Sequence, residues 1–212
     1  MSRRRSVREQ AGFTIIELMI ATTVLSVILL MATAIMISIG NLFYKGVSQA
    51  RVQDNIRTIT DDVSNHLRLG SAVANPTGSP LVRSGQSIYS LCIDTTRYSY
   101  VIGMQIGAPL NHVLWRDTLA TAGSCAPADL STADPAATNG GVAGSGTELI
   151  GPKSRLTAFS LSSTTTPYTI NVGVAYGDPS LSPAGVCLGT SDTSDQFCST
   201  ATLTTTVDKR SN

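Results

Sequence analysis

Gly12-Phe13-Thr14-Ile15-Ile16-Glu17-Leu18 opens a run in which no charged residue occurs from Leu18 to Tyr44. The run is about 27 residues long, and about 20 apolar residues are enough to cross a bilayer as a helix. In front of it stand Arg3, Arg4, Arg5 and Arg8 against a single acid, Glu9. A basic flank, a Gly-Phe junction and one carboxylate at the head of an apolar helix therefore coincide. An acid at the bilayer centre costs ~3 kcal/mol on insertion scales, so an intramembrane carboxylate implies a function and a partner. Cutting the chain between Gly12 and Phe13 would supply that partner. Phe13 would gain an α-amino group, and Glu17 would lie one helical turn from it. A neighbouring helix, shifted along its axis, offers the same pairing between subunits. In low dielectric such a pair attracts strongly, and an unpaired charge is penalised.

The basic leader, the Gly12-Phe13 pair, the spacing to Glu17 and the apolar run together resemble the class III signal of type IV pilins and type II secretion pseudopilins. The resemblance implies that a prepilin peptidase cuts after Gly12, that Phe13 becomes the N-methylated terminus, and that Glu17 is the assembly glutamate. The plain alternative is an uncleaved signal anchor with an incidental Glu17. A conventional secretory signal fits worse, because its apolar core spans only ~7–15 residues and ends in a small-residue cleavage site.

Without leader and span, roughly 165 residues remain, enough for one ordinary domain and not two. Net charge is +1, which leaves no electrostatic footprint for nucleic acid. The arginines before the span outweigh the diluted charges after it, which places the leader in the cytoplasm and the C-terminal domain outside. Cys92, Cys125, Cys187 and Cys198 all follow the span, and an even number in an exported region reads as two disulfides. Three connectivities are open. The short Gly/Ser/Asp-rich loop between Cys187 and Cys198 favours local closure, which leaves Cys92 with Cys125. A zinc site is the alternative, but no CxxC spacing occurs and the histidines are remote.

Beyond the span, Val52, Ile56, Ile59, Val63 and Leu67 recur at spacings of 4, 3, 4 and 4, one apolar stripe of a helix. The helix is expected from about Thr14 to Leu69, roughly 84 Å long at 1.5 Å per residue. No proline interrupts it, and only Gly40 and Gly46 weaken it. Gly70 and Pro76 mark its end. His66 sits at the stripe's edge, as a partly buried or solvated histidine rather than a ligand. The expected organisation is a leader (1–12), a membrane and assembly helix (13–41), its amphipathic continuation (42–70), a linker (71–86) and an antiparallel β-domain (87–212). Strands are expected at Ser87–Asp94, Arg97–Gln105, His112–Thr118, Leu149–Leu161, Tyr168–Tyr176 and Thr202–Val207. Trp115 is expected to pack over the sheet or helix. Residues 120–147, mostly Ala, Gly, Ser, Thr and Asp, read as a long surface loop that buries little apolar area. The fold class is thus α+β: a long N-terminal helix packed on an antiparallel β-sheet, as in pilins.

The only histidines are His66 and His112, and no GxSxG, HExxH, P-loop or GxGxxG arrangement occurs. Asp178, Asp192 and Asp195 in the loop before Cys198 lack an ordered calcium-ligand pattern and read as solvated carboxylates. The chain therefore reads as a structural subunit without a cofactor, not as an enzyme. The resemblance implies prepilin peptidase, other pilin subunits, the inner-membrane assembly machinery and membrane lipid as partners. Its layout looks closest to minor pilins of the W type and pseudopilins of the J type. The expected function is a minor pilin of a type IV pilus-like filament. A minor pseudopilin of a type II secretion system, or a non-polymerising single-span adhesin or receptor, are the alternatives.

Overall fold

The computed structural model describes residues 12–70, 73–74, 80–107, 109–123, 125–162, 167–177, 187 and 198–208. The expected leader up to residue 11, and Asp178, Asp192 and Asp195 with the rest of their loop apart from Cys187, lie outside the described residues. The protein divides into two compact units, one ending at Phe43 and the other starting at Tyr44.

One helix, α1 (Ile15–Leu69, 55 residues), starts in the first unit and ends in the second. It remains helical through Gly40 and Gly46. In the first unit its apolar side chains are exposed, Ile15 at 81% and Met36 at 78%. In the second unit the stripe foreseen from spacing is the buried face: Val52, Ile56, Ile59, Val63 and Leu67 join the core. Each such side chain contributes about 1.5–3 kcal/mol by leaving water. The helix stops at Gly70, whose N–H donates to the His66 carbonyl at 2.7 Å. A Cβ on Gly70 would lie 2.6 Å from the Ile93 side chain, so no larger residue fits that junction.

The strands form two antiparallel sheets. The first contains β1 (Val73–Ala74), β2 (Leu81–Arg83), β3 (Gln86–Ile93), β4 (Thr96–Tyr100), β5 (Leu114–Thr118) and β6 (Thr147–Glu148). Its order is β1-β3-β4-β5-β6, with β2 also on β3. The second contains β7 (Ser154–Ser162), β8 (Tyr168–Tyr176) and β9 (Ser199–Val207) in that order. The fold is the expected α+β class: a long helix packed against antiparallel sheets. Several boundaries differ from expectation. β1 and β2 occupy parts of the stretch read as a linker, β4 ends at Tyr100 instead of Gln105, and β7 starts at Ser154 instead of Leu149.

The largest difference is in residues 120–147. Pairing puts Leu91, Tyr98 and Arg116 abreast on one face of the first sheet, and Cys92, Arg97 and Asp117 abreast on the other. The first face meets α1, because the Tyr98 hydroxyl reaches Asp62. The second face is covered by residues 125–141. Ala128, Leu130 and Ala136 in that segment are completely buried, and Pro135–Ala137 form a 3₁₀ turn capped by Asp134. The stretch is a packed strap, not a surface loop. Small side chains let its backbone come close to the sheet, and its anchors are polar.

Candidate functional site: the helix head and three polar anchors

At the helix head, residues 12–14 are outside the helix and α1 begins at Ile15. The Glu17 N–H donates to Thr14 Oγ1 at 3.3 Å and to the Thr14 carbonyl at 3.1 Å. Thr14-x-x-Glu17 thus carries the sequence pattern of a capping box, with Thr14 as N-cap and Glu17 in the first turn. A carboxylate there also complements the positive end of the helix dipole. Gly12, Phe13 and Glu17 are all exposed, so their atoms are open to a partner. Further along, Thr22, Thr23, Ser26 and Thr33 each donate their hydroxyl to a carbonyl one turn back, at 2.8–3.0 Å. Their polarity is absorbed within the helix, which leaves an outer surface that lipid or another apolar helix accepts. This helix is long and apolar enough to cross a membrane.

In the second unit the first anchor ties α1 to the sheet. Tyr98 donates its hydroxyl hydrogen to Asp62 Oδ2 at 2.8 Å, and His66 Nδ1 lies 3.0 Å from the same hydroxyl oxygen. Arg116 pairs with the other Asp62 oxygen. Burial, and then the Asp62 carboxylate, push the Tyr98 hydroxyl far above its ordinary value. Tyr98 therefore keeps its proton and works as a fixed donor.

The second anchor is the buried pair Arg97–Asp117, with both side chains 0% exposed. Arg97 Nε and Nη2 donate to the two Asp117 oxygens at 2.9 and 2.5 Å. Nη1 donates to the Ala126 and Asn139 carbonyls, and Nη2 also to that of Thr138. All five guanidinium hydrogens thus have an acceptor. Three of those acceptors are strap carbonyls, so one cross-strand side chain fixes the strap's path. The disulfide Cys92–Cys125 and the bond from Ser90 Oγ to the Cys125 carbonyl (2.6 Å) hold its start. A second disulfide joins Cys187 to Cys198.

The third anchor joins β5 and β6. Glu148 accepts from the Leu114 N–H at 2.9 Å and the Val113 N–H at 3.2 Å, and His112 Nδ1 lies 3.2 Å from the same carboxylate. Burial raises Glu148 to about 7, against the lowering effect of those N–H donors. Burial also lowers His112. Both shifts favour the neutral forms, so this contact is a shared hydrogen bond rather than a strong ion pair at neutral pH. Beside it, Gly146 packs on the Trp115 indole, where a Cβ would overlap the ring. Trp115 thus lies against the first sheet, as expected, on its strap face.

Among the described residues, no three His, Cys, Asp or Glu side chains come together as a metal site. Sequence reading missed the Arg97 hub. Its only signal was an Arg and an Asp placed in successive strands of a meander. The Thr14 cap has a local signal, the T-x-x-E spacing of Thr14 and Glu17.

The architecture is that of a helix-headed α+β subunit. Residues 7–33 match the family model described as the prokaryotic N-terminal methylation motif. The motif supports a type IV pilin-like or pseudopilin subunit. No curated protein and no solved structure matches the chain.

Proposed function

We propose that the chain is a minor pilin of a type IV pilus-like filament and acts as a structural subunit rather than an enzyme. In this reading prepilin peptidase cuts between Gly12 and Phe13, Phe13 is N-methylated, and the inner-membrane machinery stacks the subunit against other pilins. The supporting observation is the methylation motif at residues 7–33 on a helix whose apolar side chains are exposed as far as Phe43. At ~25 cal/mol per Å² of apolar area removed from water, side-by-side packing of such helices outweighs any single ion pair. Glu17 then sets axial register by meeting the Phe13 amine of a neighbour.

Replacing Glu17 with Val tests this role. The variant is expected to be cleaved normally and to be lost from sheared filaments. Incorporation of Glu17→Val at the wild-type level would refute the assembly role. Recovery of the wild-type chain only in membranes, never in a filament or its basal machinery, would refute the pilin reading in favour of an anchored receptor.

A further inference from the structure

β9 is an edge strand of the second sheet. All nine of its residues pair with β8, from Ser199 opposite Tyr176 to Val207 opposite Tyr168, with no break in register. Among the described residues, no strand or bridge pairs with its outer edge. Edge strands of soluble domains usually carry a lysine, a proline, a bulge or an early stop that prevents further pairing. Ser-Thr-Ala-Thr-Leu-Thr-Thr-Thr-Val has no charge and no proline, and its ladder has no bulge. Leu203 remains 37% exposed, although its cross-strand partner Val172 is completely buried. A further strand at this edge would cover it.

The pattern of the strand selects the occupant. Thr200, Thr202, Thr204 and Thr206 are all exposed and share one face. They are symmetric about Leu203. An antiparallel copy of the strand, related by a two-fold axis at Leu203, sets Thr200 against Thr206, Thr202 against Thr204, and Leu203 against itself. Thr–Thr pairs are favourable across strands, and no like charges meet. We infer that β9 is a self-pairing edge through which two copies of this chain join their three-stranded sheets in a two-fold dimer. The dimer is closed, because the same edge is used on both sides. It is a lateral contact, and it does not depend on the filament reading. One strand pair is a small interface of the weak, transient kind, so a covalent trap is the suitable test.

Directly opposed residues of an antiparallel pair have Cα atoms about 4.5–5.5 Å apart, within disulfide reach. The full chain, purified in detergent with Leu203→Cys, should form a dimer on mild oxidation. Its yield should be severalfold above that of Val82→Cys, another exposed position, and peptide mapping should show a 203–203 link. Adding Thr202→Lys and Thr204→Lys to the Leu203→Cys chain sets lysine against lysine twice and should abolish the dimer. Adding Thr202→Lys and Thr204→Glu instead sets lysine against glutamate twice and should restore it. Far-ultraviolet circular dichroism checks that each variant is folded. A yield no higher than that of Val82→Cys, or equal yields from the Lys/Lys and Lys/Glu chains, would overturn the proposal.

Discussion

Asp117→Asn isolates the Arg97 hub, because it removes a charge and almost no volume. The asparagine retains one acceptor oxygen and turns an NH₂ group toward a guanidinium that needs acceptors. Arg97 would stay buried, still held by three strap carbonyls, with its charge uncompensated. Breaking a buried pair by removing one partner costs about 3–5 kcal/mol. For a unit of this size, 1 kcal/mol moves the melting temperature by about 2–4 °C, so a fall of roughly 6–20 °C is expected. Trp115 is the only tryptophan and packs against Gly146 beside the strap, so its fluorescence reports unfolding of this face. Denaturant and thermal unfolding of the wild-type and Asp117→Asn full chains in detergent give the comparison. Amide exchange should also quicken first in residues 125–141. A loss below ~1 kcal/mol, within the range of an exposed pair, would refute the reasoning.

Glu148 is raised from 4.5 to about 7 in the folded state. Its contribution is therefore full below pH 4.5 and is lost as pH rises through 7. Relative to Glu148→Gln, the chain with Glu148 should lose on the order of 3 kcal/mol of unfolding free energy across that window. His112 touches the Glu148 carboxylate and is shifted the opposite way, so both chains in the comparison carry His112→Gln, which leaves Glu148 alone to titrate at this contact. Equal differences at pH 4.5 and pH 8 in denaturant melts would contradict this. Replacing Cys92 and Cys125 together by Ala opens a closure of sequence separation 33 and should cost about 2–4 kcal/mol. Limited proteolysis should then cut first near residue 125; an unchanged cleavage pattern and midpoint would show that the strap is held without the disulfide.

The parts that could be read from sequence are those with local causes. The stripe Val52–Leu67 is fixed by helical period alone, and every member of it is buried. The apolar run after Glu17 and the Gly70 stop are equally local. In β8 the apolar residues Tyr168, Ile170, Val172, Val174 and Tyr176 alternate as for one buried face, yet Gly173 and Ala175 on the other face are buried too. Gly173 has Thr157 of the β7 bulge packed against it, a neighbour that its own stretch does not disclose. The strap was misread for a similar reason. Its buried residues are Pro, Ala and one Leu, which carry no apolar period, and its carbonyls are gripped by a side chain tens of residues earlier. His66 was placed correctly at the edge of the stripe, but its bond to the Tyr98 hydroxyl needed the register of β4 to be known.

In the proposed pilin reading, the mature N-terminus is made by cutting at the helix head. Intact and top-down mass spectrometry of the native protein, purified from its own membranes, tests this directly. A chain beginning at Phe13 with one added methyl group on its amine is the predicted result. A chain that still carries Arg3, Arg4 and Arg5, or one cut elsewhere than between Gly12 and Phe13, would contradict it.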